Sequence, residues 1–319
     1  MLHVTNGDCA RVLMERSGLP GTFIAWPDVL HDGPTPLVSG DEWNQLRSRY
    51  LASDEFGEPG ASFDDVLWKY RERDAALESY AEHDEVVFWF EHDLFDQLLL
   101  IRHLWWLRDK TGLRFSLVCG QAYLGLLKPE AFPPLFEARK PITANQVRIG
   151  TRAWEAFCAP DPTSLLPFAA AEPAEDAELP YLPAAIRRHL EEFPSVINGL
   201  ARSERQILQV LSEGTRTPEE TFVEASRLED DIFMGDMSFW TIVRRLADGR
   251  RPLVAADLAL RPGRLPSGTL NLTADGAAVL AGRADHVALN GLDRWLGGTR
   301  LTSDRFWRWT GSSLLPPAS

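Results

Sequence analysis

Residues 85–90 read EVVFWF, an apolar run broken only by the glutamate that opens it. A strand with one face in water would alternate polar and apolar side chains. A strand that is apolar throughout is covered on both faces, as happens when helices pack on both sides of a parallel sheet. The next segment has a different period. DLFDQLLLIRHLWWLRDKTG, residues 93–112, is an amphipathic helical pattern that Gly112 would close. A buried strand that runs directly into a helix is one half of a strand–helix–strand unit, and it commits the chain to an α/β class of fold.

The flanking sequence repeats the pattern. LHVTNGD reads as a short buried strand ending at the Asn6-Gly7 turn pair, and CARVLMERSG as a helix stopped by Gly18. TFIAW is a second strand and RFSLVCG a fourth. Alternation of this kind predicts a Rossmann-like parallel sheet over residues 1–125, with a helical insertion at about 41–82 that GEPGAS breaks in two and that would lid the site.

Residues 126–199 read as a helical connecting region. It includes a helix capped by Thr143, and its acidic, proline-bearing stretch AAAEPAEDAELP is the best linker in the chain. Residues 200–319 change character. Ser203 is expected to cap a first helix that Gly214 stops. Thr217, Pro218 and Glu220 form a capping box for a second, and GDMSFWTIVRRLADG is a third. PLVAADLAL and GTLNLTADG then alternate like a hairpin. Three helices and a hairpin predict a mostly helical, winged-helix-like domain.

With 319 residues, 45% hydrophobic and 25% charged, the composition is that of a soluble globular protein. No signal-peptide pattern or membrane-length apolar run is visible, so no membrane association and a cytoplasmic location are expected. Cys9, Cys119 and Cys158 are too few and too scattered for a disulfide framework or a zinc site, although Cys9, near the first strand end, is a conceivable nucleophile. Residues 200–319 carry 15 basic and 15 acidic side chains, so the whole net charge of −13 falls on residues 1–199. That acidity makes the first half a poor partner for a nucleic-acid backbone. For the second half, Arg244, Arg245, Arg250 and Arg251 on the third helix leave DNA contact open. The interleaved Trp and Arg of residues 290–311 suit a domain interface better than single-stranded nucleic acid.

The candidate chemistry lies at the strand ends. The first strand ends at Asn6, Gly7 and Asp8. The second ends near Asp28, with His31 and Asp32 in its loop. The third ends at Glu91, His92 and Asp93, with Asp96 and Gln97 just beyond. In open α/β sheets ligands bind outside the carboxyl ends of the strands, so the three clusters are predicted to meet in one crevice. His92, Glu91 and Asp93 are the candidate acid–base groups; Asn6, Gly7, Asp8, Asp28, His31, Asp32, Asp96 and Gln97 would bind substrate. The competing expectation is structural: Asp8 and Asp93 as helix caps and His31–Pro34 as a turn. His3 is expected in the core or at an edge, and His83, His103, His189 and His286 on surfaces or helix faces.

The cofactor is open. The His and carboxylate set suits a divalent metal, but its spacing matches no ligand motif. No phosphate-cradling glycine loop, dinucleotide fingerprint or nucleophile elbow is present. The expected partner is therefore a polar small molecule of nucleotide or sugar type, handled by hydrolysis or group transfer. The alternative is a regulator that senses a ligand and binds DNA or protein through its second domain.

HVTNGDCA, WPDVLHDGP and VVFWFEHDLFDQL together resemble a bacterial family described as domain of unknown function 1835. RHLEEFPSVINGLARSERQIL and the stretch from LTADGAAVLAG to HVALNGLDRWLGG resemble the later part of such proteins. The resemblance covers most of the chain and implies no reaction.

Overall fold

The computed structural model describes residues 1–53, 62–111, 114–171, 177–259 and 266–317. Residues 57–61 of the break expected at GEPGAS, the stop at Gly112 and the centre of the acidic linker lie outside the described residues.

The chain forms β1 (Leu2–Thr5), α1 (Asp8–Glu15), β2 (Thr22–Ala25), α2 (Gly40–Leu51), α3 (Phe63–Glu78), β3 (Glu85–Glu91), α4 (Leu94–Leu107) and β4 (Arg114–Gly120). Then come α5 (Phe132–Glu137), β5 (Lys140–Pro141), α6 (Ala144–Phe157), α7 (Leu166–Ala169) and α8 (Leu182–Leu190). One five-stranded sheet runs in the order β2-β1-β3-β4-β5. The first four strands are parallel and the two-residue β5 is an antiparallel edge, which the sequence pattern had not suggested. The α/β class is therefore as expected.

All seven residues of β3 are buried, which is what its unbroken apolar run implies. Side chains alternate across the sheet: Leu2, Val4, Val86, Phe88 and Phe90 enter the core beneath α4, α6 and α8, while Val87 and Trp89 face a smaller core with Ala10, Met14, Phe132 and Phe136. Each large side chain removed from water here contributes about 1.5–3 kcal/mol. His3 is in that second core, stacked on Phe23 at 4.7 Å and accepting from Trp89 Nε1 at 3.1 Å. His103 and His189 are fully buried rather than surface groups. His103 bonds the Leu99 carbonyl one turn back, and His189 packs edge-on against Phe157. Both lie on the buried faces of α4 and α8.

The helices of the expected insertion, α2 and α3, cover the sheet face with Trp43, Tyr70 and Leu77. No described residue of α2 or α3 lines the cleft at the strand ends.

The remaining elements are α9 (Arg202–Ser212), α10 (Pro218–Ser226), α11 (Asp236–Ala247), β6 (Val254–Ala259), β7 (Ser267–Leu272), α12 (Ala274–Leu280), α13 (His286–Asn290), β8 (Asp293–Leu296), β9 (Thr299–Thr302), β10 (Arg308–Trp309) and β11 (Leu314–Leu315). Three helices, α9 to α11, share a core of their own with the antiparallel β6–β7 hairpin and α12. Thr217 caps α10 in the expected box with Glu220. Ser203 does not cap α9. The helix begins earlier, after Ala201, because Glu204 reaches back to the Ala201 N–H at 2.8 Å.

The chain then returns to the first core. Leu296, Leu301, Trp307, Trp309 and Leu314 pack in the same cluster as the sheet. The turn between β8 and β9 is what permits it. A Cβ on Gly298 would lie 1.9 Å from the Cys158 carbonyl, so only a glycine lets its N–H reach the Phe157 carbonyl at 2.9 Å. Among the described residues no helix is long and apolar enough to cross a membrane.

Candidate functional site

Only His92 and Asp93 separate the end of β3 from the start of α4. The connection is short because Asp93 adopts an extended backbone and caps α4, its carboxylate accepting from the Asp96 N–H at 3.1 Å. The cap and the carboxylate cluster are therefore one structure. Asp96 Oδ1 in turn accepts from the Glu91 N–H at 2.8 Å. Gln97 Nε2 donates to the Glu91 carbonyl at 2.7 Å and closes the turn from the other side.

Asn6 brings in the end of β1. Its Nδ2 donates to Glu91 Oε1 at 2.8 Å and to Asp96 Oδ2 at 2.9 Å. The Leu124 N–H, beyond β4, gives Glu91 Oε1 a further bond at 2.7 Å. Glu91, Asp93 and Asp96 are all buried, and each offers an oxygen within 4.8 Å of the others. No Lys or Arg forms an ion pair with them among the described residues. Burial, with repulsion from Glu91 and Asp231, pushes Asp93 up to about 7. Burial raises Glu91 despite the Leu124 and Asn6 donors, and raises Asp96 well above the ordinary carboxylate range. Three such oxygens converge as ligands for a hard divalent cation would, and the same set can instead share protons.

His92 points into the second part of the molecule. Its Nε2 lies 3.0 Å from Asp231 Oδ1, in the connection between α10 and α11. Its ring centroid lies 5.2 Å from that of Tyr123 and 6.0 Å from that of Tyr181. Tyr123 Oη accepts from the Ile232 N–H at 2.8 Å, so two adjacent bonds fasten this connection over the strand ends. His92, Asp93, Arg187, Arg188 and Asp231 line a cleft of about 480 Å3, counting its open mouth, between α4, α8 and the 229–231 segment. Arg188 is held at its wall by Glu229 in a two-pronged pair at 2.7 Å and by Glu192 at 2.7 Å. Arg188 and Arg294 draw Glu192 down to about 2 against the effect of its burial.

The structure thus gathers Asn6, Glu91, Asp93, Asp96 and Gln97, with His92 alongside. The other expected residues are elsewhere. Gly7 is the backbone cap of α1, and Asp8 is exposed in its first turn, paired with Arg11 at 3.1 Å. Cys9 is exposed on α1, and Cys119 sits behind the cluster 3.7 Å from the Glu91 carbonyl. Asp28 is buried against Arg47 Nε at 3.2 Å, and Arg47 also donates to the carbonyls of Val29, Asp32 and Pro34, so one guanidinium holds the whole loop. Asp32 faces Arg245 at 3.4 Å. His31 is buried edge-on to Phe233 with no hydrogen bond to either ring nitrogen, and burial lowers it to about 4.

Sequence reasoning missed Tyr123, Arg187, Arg188 and Asp231. The first three lie in segments read only as helical or irregular. Asp231 sits in LEDDIFMGD, an acidic stretch between the second and third expected helices. Compared with protein-family models and with curated proteins, the chain matches none.

Proposed function

We propose that the protein binds a polar, hydroxyl-bearing small molecule of nucleotide or sugar type in the cleft beside His92 and Asp93, and acts on it by acid–base hydrolysis or group transfer. One observation carries this reading: His92 and Asp93 stand together on the cleft wall at the carboxyl end of β3, where the strand order turns back between β1 and β3. Ligands of parallel sheets settle at such a point. A carboxyl near 7 populates both its forms at neutral pH, which suits Asp93 to give and take a proton. His92, with Asp231 at its Nε2, is the second proton carrier. Asn6 holds the remaining carboxylates in register. The Rossmann-like character of the sheet and kinship with domain of unknown function 1835 belong to the same proposal, and the strand order and the quoted motifs support them.

The test is a thermal-shift screen of metal-stripped protein against nucleotides, sugars, sugar phosphates and divalent metals, run beside Asp93→Asn and His92→Ala. Saturable stabilisation by one ligand class, lost in both variants, is expected. Variants that bind every discovered ligand as the parent does would overturn the reading.

A second reading, a ligand-sensing regulator with a winged-helix domain, draws support from the contacts of Asp231 and Ile232 with the cleft. Its DNA-binding form is disfavoured by the arginines it needs. Arg245 faces Asp32, Arg250 donates to the Leu289 carbonyl and Arg251 pairs with Asp275.

A further inference from the structure

A second polar cluster lies on the sheet face beneath α2, α3 and α4, away from the cleft. Its framework is Trp26, which follows β2, and Trp43 on α2, with exposures of 2% and 1%. Two guanidiniums share the Trp26 indole. Arg73 of α3 lies over it with Cζ 3.8 Å from the ring centroid, and Arg102 of α4 approaches it at 5.3 Å and the Trp43 ring at 4.5 Å.

The charges do not balance. Arg47 is matched by Asp28 at 3.2 Å. Arg73 Nε meets Asp74 loosely at 3.5 Å. Arg102 forms no hydrogen bond or ion pair among the described residues; its partners there are the two indole rings. Among the described residues, three guanidiniums thus surround two carboxylates in a largely apolar setting, where an unmatched charge is costly. Burial lowers the Arg102 pKa and Arg73 lowers it further, against the opposing effect of Asp28 and Asp74.

The hydrogen-bond inventory adds to this. Arg73 Nη2 and the N–H groups of Trp26 and Trp43 are buried without an acceptor, and Arg73 is only 8% exposed. Among the neighbouring acceptors, Asp28 Oδ2, Asn44 Oδ1 and Asp74 Oδ1 have no hydrogen-bond donor. Native proteins leave few buried donors unsatisfied, and a group of them around paired guanidiniums calls for an acceptor, either ordered water or a bound anion. Some of the Arg102 side chain still reaches solvent, which gives that acceptor a way in.

We propose that Arg73 and Arg102, framed by Trp26 and Trp43, bind a small oxyanion of one negative charge, a carboxylate or dihydrogen phosphate. One such charge balances the cluster, and a guanidinium fork matches two oxygens of either group. The site is separate from the His92 cleft and does not rest on the acid–base reading.

The experiment is calorimetric titration of the full chain with sodium acetate and with sodium phosphate at constant ionic strength, followed in parallel by tryptophan fluorescence, with sodium chloride as control. Arg102→Gln is the primary variant, because its side chain makes no hydrogen bond that folding depends on. Arg187→Gln removes a cleft arginine and serves as comparison. Saturable binding of acetate or phosphate is expected, weakened at least tenfold by Arg102→Gln and unchanged by Arg187→Gln. The relative affinity of the two anions distinguishes a carboxylate site from a phosphate site. The proposal is overturned by no saturable binding of either anion, by an equal response to chloride, by binding that survives Arg102→Gln, or by binding lost in Arg187→Gln, which would move the anion to the cleft.

Discussion

Asn6 Nδ2 donates to Glu91 and to Asp96 at once, at 2.8 and 2.9 Å, and so ties the end of β1 to the strand–helix turn that follows β3. It is a neutral side-chain donor placed between two buried carboxylates. Removing it leaves both acceptors short of a partner, at a cost of about 1–3 kcal/mol. Asn6→Ala is therefore expected to destabilise by that amount, and Asn6→Asp by more at pH 7 than at pH 5, because it adds a carboxylate to a cluster that already resists ionisation. Urea unfolding at the two pH values checks both. A destabilisation by Asn6→Asp that does not ease at pH 5 would count against the crowded-carboxylate account.

Asp93 gives the cluster a definite pH signature. Its folded value of about 7 exceeds the ordinary 3.8, so the folded protein keeps a proton that the unfolded chain has released. Stability is thus fully present below about pH 4 and declines as pH rises through 7, with a penalty on the order of a few kcal/mol above that point. Asp93→Asn retains a capping side chain but cannot ionise. Measured against the parent, its stability should gain steadily between pH 5 and about 7 and level off by pH 8; a constant difference between pH 5 and 7 would refute the shift.

The buried histidines act in the opposite direction. Burial depresses His31 to about 4 and His189 to about 3 from 6.5. Below 6.5 the unfolded chain takes up protons that the folded state refuses, so stability falls as pH drops from 6.5 toward 4. One such residue accounts for roughly 3 kcal/mol by pH 4. His189→Leu should flatten this acid limb in pH-dependent urea unfolding while leaving the alkaline limb alone.

A divalent cation supplied to Glu91, Asp93 and Asp96 would replace their shared protons. Mn2+ or Ca2+ is expected to raise the melting temperature saturably, and more at pH 8 than at pH 6, since protons compete for the same oxygens. Asp96→Asn should abolish the effect. A shift of equal size at both pH values, or one that survives Asp96→Asn, would place the metal elsewhere.

For the α9–α11 unit, duplex DNA should bind weakly and without a steep dependence on salt, because Arg245, Arg250 and Arg251 are already engaged within the chain. A slope of log affinity against log salt of about −4 or steeper, measured by fluorescence anisotropy, would reverse that expectation.

Local patterns made much of this fold legible. The unbroken apolar run of β3, the period of α4, the helix cap at Thr143 and the capping box at Thr217 all depend on neighbours a few residues apart. The polar strand ends announced Asn6, Glu91, Asp93 and Asp96 for the same reason: a strand has to stop there. Asp28 and Asp32 were read the same way and went elsewhere. Arg47, on a helix the sequence could only describe as an insertion, draws that loop to itself. Asp231 was invisible because its partner is His92, in another part of the chain. Pairings at that range leave no periodicity to read.

The return of residues 292–314 to the sheet's core has a consequence for how the protein is made. Leu296, Leu301, Trp307 and Leu314 fill space beside side chains that emerge from the ribosome more than a hundred residues earlier, around Phe157 and Phe193. The α9–α11 unit, with its own core, can fold while the body is still waiting for its closing pieces. During synthesis the first half must therefore keep an apolar gap open to solvent, and to whatever chaperones attend it, until the β8–β9 hairpin arrives to seal it.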